Sequence, residues 1–176
     1  MPKLSSTELK AKLKEIKLLA LDVDGVLTDD GIYFGPDNFE LKKFNISDGL
    51  FMVLAMRAGL EIAIVSSRSS KATESRMRDL GVKHVLQEHK DKVQMVKPLL
   101  EKLNLDYHNL AFVGNEIMDI SLVERAGIGI AVADSAAELI DSADFVTIKS
   151  GGKGAVRELL EYYFEAVDKD PKKYLQ

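Results

Sequence analysis

Unbroken apolar runs recur along this chain: Leu18-Leu19-Ala20-Leu21, Ile62-Ala63-Ile64-Val65, Ala111-Phe112-Val113 and Ile128-Gly129-Ile130-Ala131-Val132. His84-Val85-Leu86 and Phe145-Val146-Thr147 form a weaker pair. Continuous rather than alternating runs fit strands buried on both faces of a parallel sheet. Between them, apolar residues return at helical spacing. Leu9, Leu13 and Ile16 follow the capping candidates Ser5 and Ser6 and predict a short, polar N-terminal helix. Leu50, Val53, Leu54 and Arg57 follow Ser47, the expected cap of a second helix. Met77 and Leu80 close a third segment at Gly81, and Val93, Val96, Leu99, Leu100 and Leu103 share one face of a fourth. Leu122, Val123 and Ala126 stop at Gly127, and Val156, Leu159, Leu160 and Tyr163 form a last helix.

Strands alternating with helices predict an α/β fold, a doubly wound, Rossmann-like parallel sheet. One segment breaks the rhythm. Ile32-Tyr33-Phe34 and Phe39-Glu40-Leu41-Lys42-Lys43-Phe44 flank Gly35-Pro36-Asp37-Asn38, which reads as a β-hairpin protruding after the first strand. No linker, repeat or low-complexity stretch divides residues 1–176, so a single domain is expected.

Composition narrows the partners. At 46% hydrophobic and 30% charged, the chain falls in the ordinary globular range. A net charge of −4 and a pI near 5.5 argue against nucleic acid or a membrane surface as a partner held by bulk charge. With no cysteine, disulfides, thiolate metal sites and cysteine nucleophiles are excluded, which fits a cytoplasmic protein. Residues 1–17 are charged and amphipathic, unlike a signal peptide or a membrane span.

In such sheets ligands bind beyond the carboxyl ends of the strands. Polar residues gather at four of these ends. The first run leads into Asp22-Val23-Asp24-Gly25, where one carboxylate can attack phosphorus while the other handles a proton. Gly25 allows a sharp turn that leaves backbone N–H groups near an anion. A capping aspartate pair at a strand–loop junction would read the same way. Ser66, in Ser66-Ser67-Arg68-Ser69-Ser70, offers a hydroxyl beside a helix start, a seat for phosphate or simply a helix cap from Ser69 or Ser70. Lys92 opens the fourth helix, where it can neutralise a carboxylate and a phosphoryl group, or be a solvated surface lysine. Gly114-Asn115-Glu116-Ile117-Met118-Asp119 supplies oxygen ligands suited to Mg²⁺, or a loop with Asn115 as cap.

Taken in order, these segments resemble the four motifs of the haloacid dehalogenase-like phosphatases, over roughly residues 17–161. Three further stretches resemble its branch without a cap domain, which acts on keto-sugar acid phosphates such as 3-deoxy-D-manno-octulosonate 8-phosphate. They are Phe44-Asn45-Ile46-Ser47-Asp48-Gly49, Ala131-Val132-Ala133-Asp134-Ser135-Ala136 and Gly151-Gly152-Lys153-Gly154-Ala155-Val156-Arg157-Glu158. The resemblance implies a Mg²⁺-dependent phosphatase in lipopolysaccharide biosynthesis that works through an aspartyl phosphate. It implies Asp22 as nucleophile and metal ligand, and Asp24 as general acid/base with its carbonyl on the metal. Asn115 is the implied third metal ligand, standing where the family carries Asp. Ser66 and Lys92 would hold phosphoryl oxygens, and Asn45, Ile46, Ser47, Asp48, Gly49, Arg68 and Arg76 would contact the sugar acid. Lys153 stands at a family arginine and Val53 at another. The resemblance further implies a homotetramer whose subunits close each other's sites with the hairpin and the C-terminal tail. The Ser150–Gly154 segment reads as a flexible glycine loop carrying Lys149 and Lys153 toward a substrate carboxylate. Other readings are a phosphatase of nine-carbon sugar acid 9-phosphates of the sialic acid or KDN type, a phosphomutase, and a non-catalytic tetramerisation or regulatory module.

Overall fold

In a computed structural model, which describes residues 4–176, six parallel strands form one sheet in the order β5-β4-β1-β6-β7-β8. They are β1 (Leu18–Leu21), β4 (Glu61–Val65), β5 (His84–Leu86), β6 (Leu110–Gly114), β7 (Ile128–Ala131) and β8 (Phe145–Val146). The first three residues of the N-terminal segment lie outside the described part. The apolar runs are continuous because both faces are covered. In β1, Leu19 and Leu21 join one core while Leu18 and Ala20 join the other. β4 divides the same way, Ile62 and Ile64 against Ala63 and Val65, as side chains alternate along a strand.

The first core receives α1 (Ser6–Leu13), α2 (Ile46–Arg57), α3 (Lys71–Leu80) and α7 (Ala155–Ala166). The second receives α4 (Lys92–Leu103), α5 (Ile120–Val123) and α6 (Ala137–Ser142). Each fully buried Leu or Ile contributes about 1.5–3 kcal/mol by leaving water. The short helix α6, which begins just after the stretch 131–136 and which no apolar spacing predicts, has no side-chain cap and places Leu139 in the core.

Two caps differ from expectation. Asn45, not Ser47, caps α2: its Oδ1 accepts from Ser47 N at 2.8 Å and Asp48 N at 3.2 Å. The chain turns helical one residue before Ser47, so that hydroxyl arrives too late to cap. Ser70 stands at the cap position of α3, but its hydroxyl donates to Glu40 Oε1 at 2.9 Å instead.

The hairpin is present as a separate two-stranded sheet, β2 (Tyr33–Phe34) and β3 (Glu40–Leu41), closed by a short 3₁₀ turn at Pro36–Asn38. Among the described residues no separate cap domain covers the sheet. Two other segments depart from expectation. The glycine loop before α7 is pinned: Gly152 N donates to Val26 O at 2.9 Å, and Gly151 N to Asp134 Oδ1 at 2.9 Å. The Glu158 carboxylate accepts from Ile148 N and Lys149 N, both at 2.9 Å. The C-terminal turn Pro171–Tyr174 packs on its own subunit, with Arg57 donating to Tyr174 O at 2.8 Å. Arg57 closes the C-terminal end of α2, a helix length away from Asn45.

Candidate active site

The carboxyl ends of β1, β4 and β6 lie side by side because Leu21 pairs with Ile64 on one edge and Val113 on the other. Asp22 continues this register, its N–H donating to Val113 O at 3.0 Å. The chain then turns at Gly25, whose φ of +78° favours glycine. Thr28, fully buried, fixes the turn. Its hydroxyl donates to Val23 O at 3.4 Å and accepts from Gly25 N at 3.3 Å.

Lys92 reaches this point from the first turn of α4, which Asp91 caps through Val93 N and Gln94 N. It is far from a surface lysine, being 1% exposed. Its Nζ lies 2.9 Å from Asp22 Oδ1 and 2.5 Å from Asp119 Oδ1, and 5.6 Å from the centre of the Phe112 ring. Burial pushes the Asp22 carboxyl up to about 7, against the pull of Lys92, and the charge of Asp119 adds to the rise. Burial draws Lys92 down, yet the two carboxylates outweigh it and raise its pKa, so the ammonium stays charged. Asp22 thus sits beside a charged ammonium, an arrangement that suits an oxygen nucleophile.

Asp119 is wholly buried, and Oδ2 accepts from Asn115 N at 2.9 Å and Glu116 N at 3.2 Å. These bonds fold the β6–α5 loop back over Gly114, where a Cβ would lie 2.6 Å from Asp119. They also turn the Asn115 side chain onto Gly25, so close that a Cβ there would meet Nδ2 at 1.8 Å. Asn115 Oδ1 is buried without a hydrogen-bond partner. An unmet buried acceptor costs about 1–3 kcal/mol, and a hard cation is one partner that would satisfy it. Glu116 is exposed. Among the described residues no three Asp, Glu or His groups converge as a metal cage. A cation here would therefore draw on Asp22, a backbone carbonyl and the Asn115 amide oxygen, a donor set that suits Mg²⁺.

Asp24 forms a second cluster with the hairpin: Lys42 Nζ donates to its Oδ1, and Arg68 Nη1 lies 3.6 Å from Oδ2. Ser66, nearly buried at the end of β4, accepts from Arg68 N at 3.3 Å. Arg76 lies over Gly49, where a Cβ would be 2.4 Å from its Nη2. Asn45 Nδ2 donates to Gly152 O at 3.3 Å, tying α2 to the glycine loop.

Other expected substrate contacts stand elsewhere. Ile46 is 82% exposed. Asp48 is buried, and its Oδ1 accepts from Arg157 N at 2.7 Å, so one carboxylate oxygen caps α7 while Oδ2 is buried without a hydrogen-bond partner. Burial raises its pKa against the bonds from Arg157 and Gly154. Lys153 is exposed. Lys42 and Glu40 were missed from sequence. Strand alternation, which puts residues 40 and 42 on one face, was the available signal.

Residues 83–159 match the haloacid dehalogenase-like hydrolase family. The chain is 42% identical to the 3-deoxy-D-manno-octulosonate 8-phosphate phosphatase of Escherichia coli over 156 residues, 89% of this chain and 83% of that one. It belongs to the haloacid dehalogenase-like phosphatases. The phosphatase of the same name from Yersinia pestis is 36% identical over 154 residues, 88% of this chain and 82% of that one. Among solved members of the family, the Moraxella catarrhalis phosphatase, in complex with magnesium, phosphate and KDO, superposes with a TM-score of 0.89. It is 35% identical, covering 92% of this chain and 93% of that one. The cobalt-bound Haemophilus influenzae enzyme gives 0.85 at 30% identity, covering 89% and 92%. The sheet superposes on those of these family members, and the described residues form no separate cap domain.

Proposed function

We propose that this chain is a Mg²⁺-dependent phosphatase of 3-deoxy-D-manno-octulosonate 8-phosphate, acting in lipopolysaccharide biosynthesis through an aspartyl phosphate on Asp22. The observation that carries the reading is the Asp22 carboxylate held 2.9 Å from buried Lys92, two residues before a second, separately held carboxylate on Asp24. Asp22 attacks phosphorus, and Lys92 offsets negative charge on the nucleophile and the phosphoryl oxygens. Ser66 and the backbone N–H groups after Asp22 receive those oxygens. Asp24 gives a proton to the leaving sugar oxygen, then takes one from the water that releases phosphate. Asp22, the Asp24 carbonyl and Asn115 Oδ1 would hold Mg²⁺, which when bound supplies positive charge against the phosphoryl group. Arg68, Arg76 and Lys153 are the cations available for the sugar acid.

A homotetramer accompanies this reading. Ile32, Phe34, Phe39 and Leu41 of the hairpin are all about half exposed or more, Phe34 reaching 67%. That is more apolar surface than a two-stranded ribbon bears alone in water. The exposed apolar face of the hairpin is therefore the surface assigned to a neighbouring subunit, while the C-terminal turn, docked on its own α2, is not. No described helix is long and apolar enough to cross a membrane. A phosphorylated sugar acid does not cross a bilayer unaided, so we place the enzyme in the cytoplasm with the supply of its substrate.

The test is phosphate release from 3-deoxy-D-manno-octulosonate 8-phosphate, a nine-carbon sugar acid 9-phosphate and an aryl phosphate, each with and without Mg²⁺. Magnesium-dependent turnover that is fastest on the eight-carbon ester supports the reading. Preference for the nine-carbon ester would move the substrate, and no release from any would sink the phosphatase.

A further inference from the structure

Asp24 stands apart from the buried Lys92 pair and is held by the hairpin. Lys42 Nζ donates to its Oδ1, and the Lys42 side chain is only 2% exposed. Lys42 also lies 3.8 Å from Glu40 Oε1, which accepts from Ser70 Oγ at 2.9 Å. Glu40 Oε2 accepts from Arg68 Nη2 at 2.9 Å, and Arg68 Nη1 stands 3.6 Å from Asp24 Oδ2. Four charged groups thus close a ring: Asp24, Lys42, Glu40 and Arg68. Glu40 lies in β3 and Lys42 follows directly after it, and the contacts place both side chains in the ring.

An exposed lysine–carboxylate pair would fix little. Lys42 differs because its ammonium is out of water, where it depends on carboxylate partners. Arg68 is beyond hydrogen-bond length from Oδ2. Among the described residues no hydrogen bond ends on that oxygen. The grip on Asp24 is one-sided.

We propose that Lys42 is a positioning residue for Asp24, fixing the rotation of its carboxyl so that Oδ2 is the oxygen that exchanges protons, with Glu40 steadying Lys42 from behind. This rests on the phosphatase reading. In the first half-reaction Asp22 bonds to phosphorus, the phosphorus–oxygen bond to the leaving group breaks, and the Asp24 proton passes to the departing oxygen. In the second, water oxygen bonds to phosphorus, its proton passes to Asp24, and the bond to Asp22 breaks to release phosphate. Both transfers require the Asp24 carboxyl in one place. A misplacement of about 1 Å can cost about 10²-fold. The charge ring also explains why the hairpin stem lies over its own site rather than free in solvent.

The test uses aryl phosphates whose phenols span a range of acidity, hydrolysed by wild type, Lys42→Met, Lys42→Arg, Asp24→Asn and Asp22→Asn. Basic phenols need protonation as they leave and acidic ones do not. Lys42→Met is expected to lose about 10-fold to 10²-fold in kcat on the most basic phenols and to change little on the most acidic. Its dependence on leaving-group acidity should steepen toward that of Asp24→Asn, and Lys42→Arg should restore much of the wild-type slope. Should Lys42→Met fail to fold, Glu40→Gln is expected to steepen the slope by a smaller amount. A uniform loss, or a rise in KM with an unchanged slope, would overturn the proposal while leaving the phosphatase standing. Wild type inert across the series, or Asp22→Asn active, would bring down the phosphatase reading and the role of Lys42 with it.

Discussion

Gly151 and Gly25 meet backbone to backbone: a Cβ on Gly151 would fall 1.8 Å from the carbonyl oxygen of Gly25. The loop before α7 therefore braces the loop that carries Asp22 and Asp24. Gly152 extends the brace, since a Cβ there would lie 2.5 Å from the Thr28 carbonyl carbon. These glycines serve close approach, and their loop is stapled at four points by Val26, Asp134, Glu158 and Asn45.

Gly151→Ala is accordingly expected to destabilise the protein by about 1–3 kcal/mol, as overpacking of rigid neighbours does. Because Gly25 must move, turnover should fall as well. Urea unfolding and phosphate release check both, and a variant with wild-type midpoint and rate would remove the brace.

Asp22→Asn should abolish turnover, since an amide cannot form the aspartyl phosphate. Lys92 keeps its ion pair with Asp119, so the fold should persist. Circular dichroism and a steady-state assay test this. Near-normal turnover in a folded variant contradicts the mechanism.

The same substitution has a pH signature. Burial pushes the folded Asp22 carboxyl up to about 7, against about 3.9 in an unfolded chain. The folded state then holds more protons between these values. The stability contributed by Asp22 is full below the unfolded value and is lost as pH rises through about 7. In chelator-treated protein, the urea midpoint of wild type relative to Asp22→Asn should therefore drop from about pH 5 to about pH 8. A difference that stays flat, or grows with pH, would show that Lys92 rather than burial governs the carboxyl.

Asn115→Asp adds an anionic oxygen at the position of the unmet acceptor. It should lower the Mg²⁺ concentration for half-maximal activity, and Asn115→Ala should raise it. Calorimetric titration of Mg²⁺ reads the same change without turnover. Three proteins with one Mg²⁺ affinity would place Asn115 outside the metal shell.

Phe34→Ser combined with Phe39→Ser removes the two most exposed aromatics of the hairpin. Light scattering should show wild type as four 19.5 kDa chains and the double variant as smaller species. A wild-type monomer at micromolar concentration would contradict the assembly.

Several features were legible from residues alone. The uninterrupted apolar runs placed the sheet, because a strand covered on both faces needs apolar residues at every position, as Leu18 to Leu21 show. Asp22, Ser66, Lys92 and Asn115 could be expected at one edge because a parallel sheet brings its carboxyl ends there whatever the intervening helices do. A strongly periodic segment such as α4 declared itself, while six-residue α6, with no capping side chain, gave no such pattern.

What sequence could not carry were relations between residues far apart in the chain. Nothing local in Lys92 separates it from a solvated lysine. Its burial follows from the meeting of α4, β1 and the β6–α5 loop, which sets Asp22 and Asp119 around its ammonium. Asp48 reads as a polar residue free for a ligand until α7 docks and takes its carboxylate as a cap. Lys42 pairs with a residue 18 positions earlier, and Gly151 meets one far earlier still. Covalent order and the period of the apolar positions determined the strands, the core helices and the edge at which chemistry gathers. Which charges lost their water, and which partner each then required, was decided only by packing, because desolvation and Coulomb attraction depend on distance in space rather than along the chain.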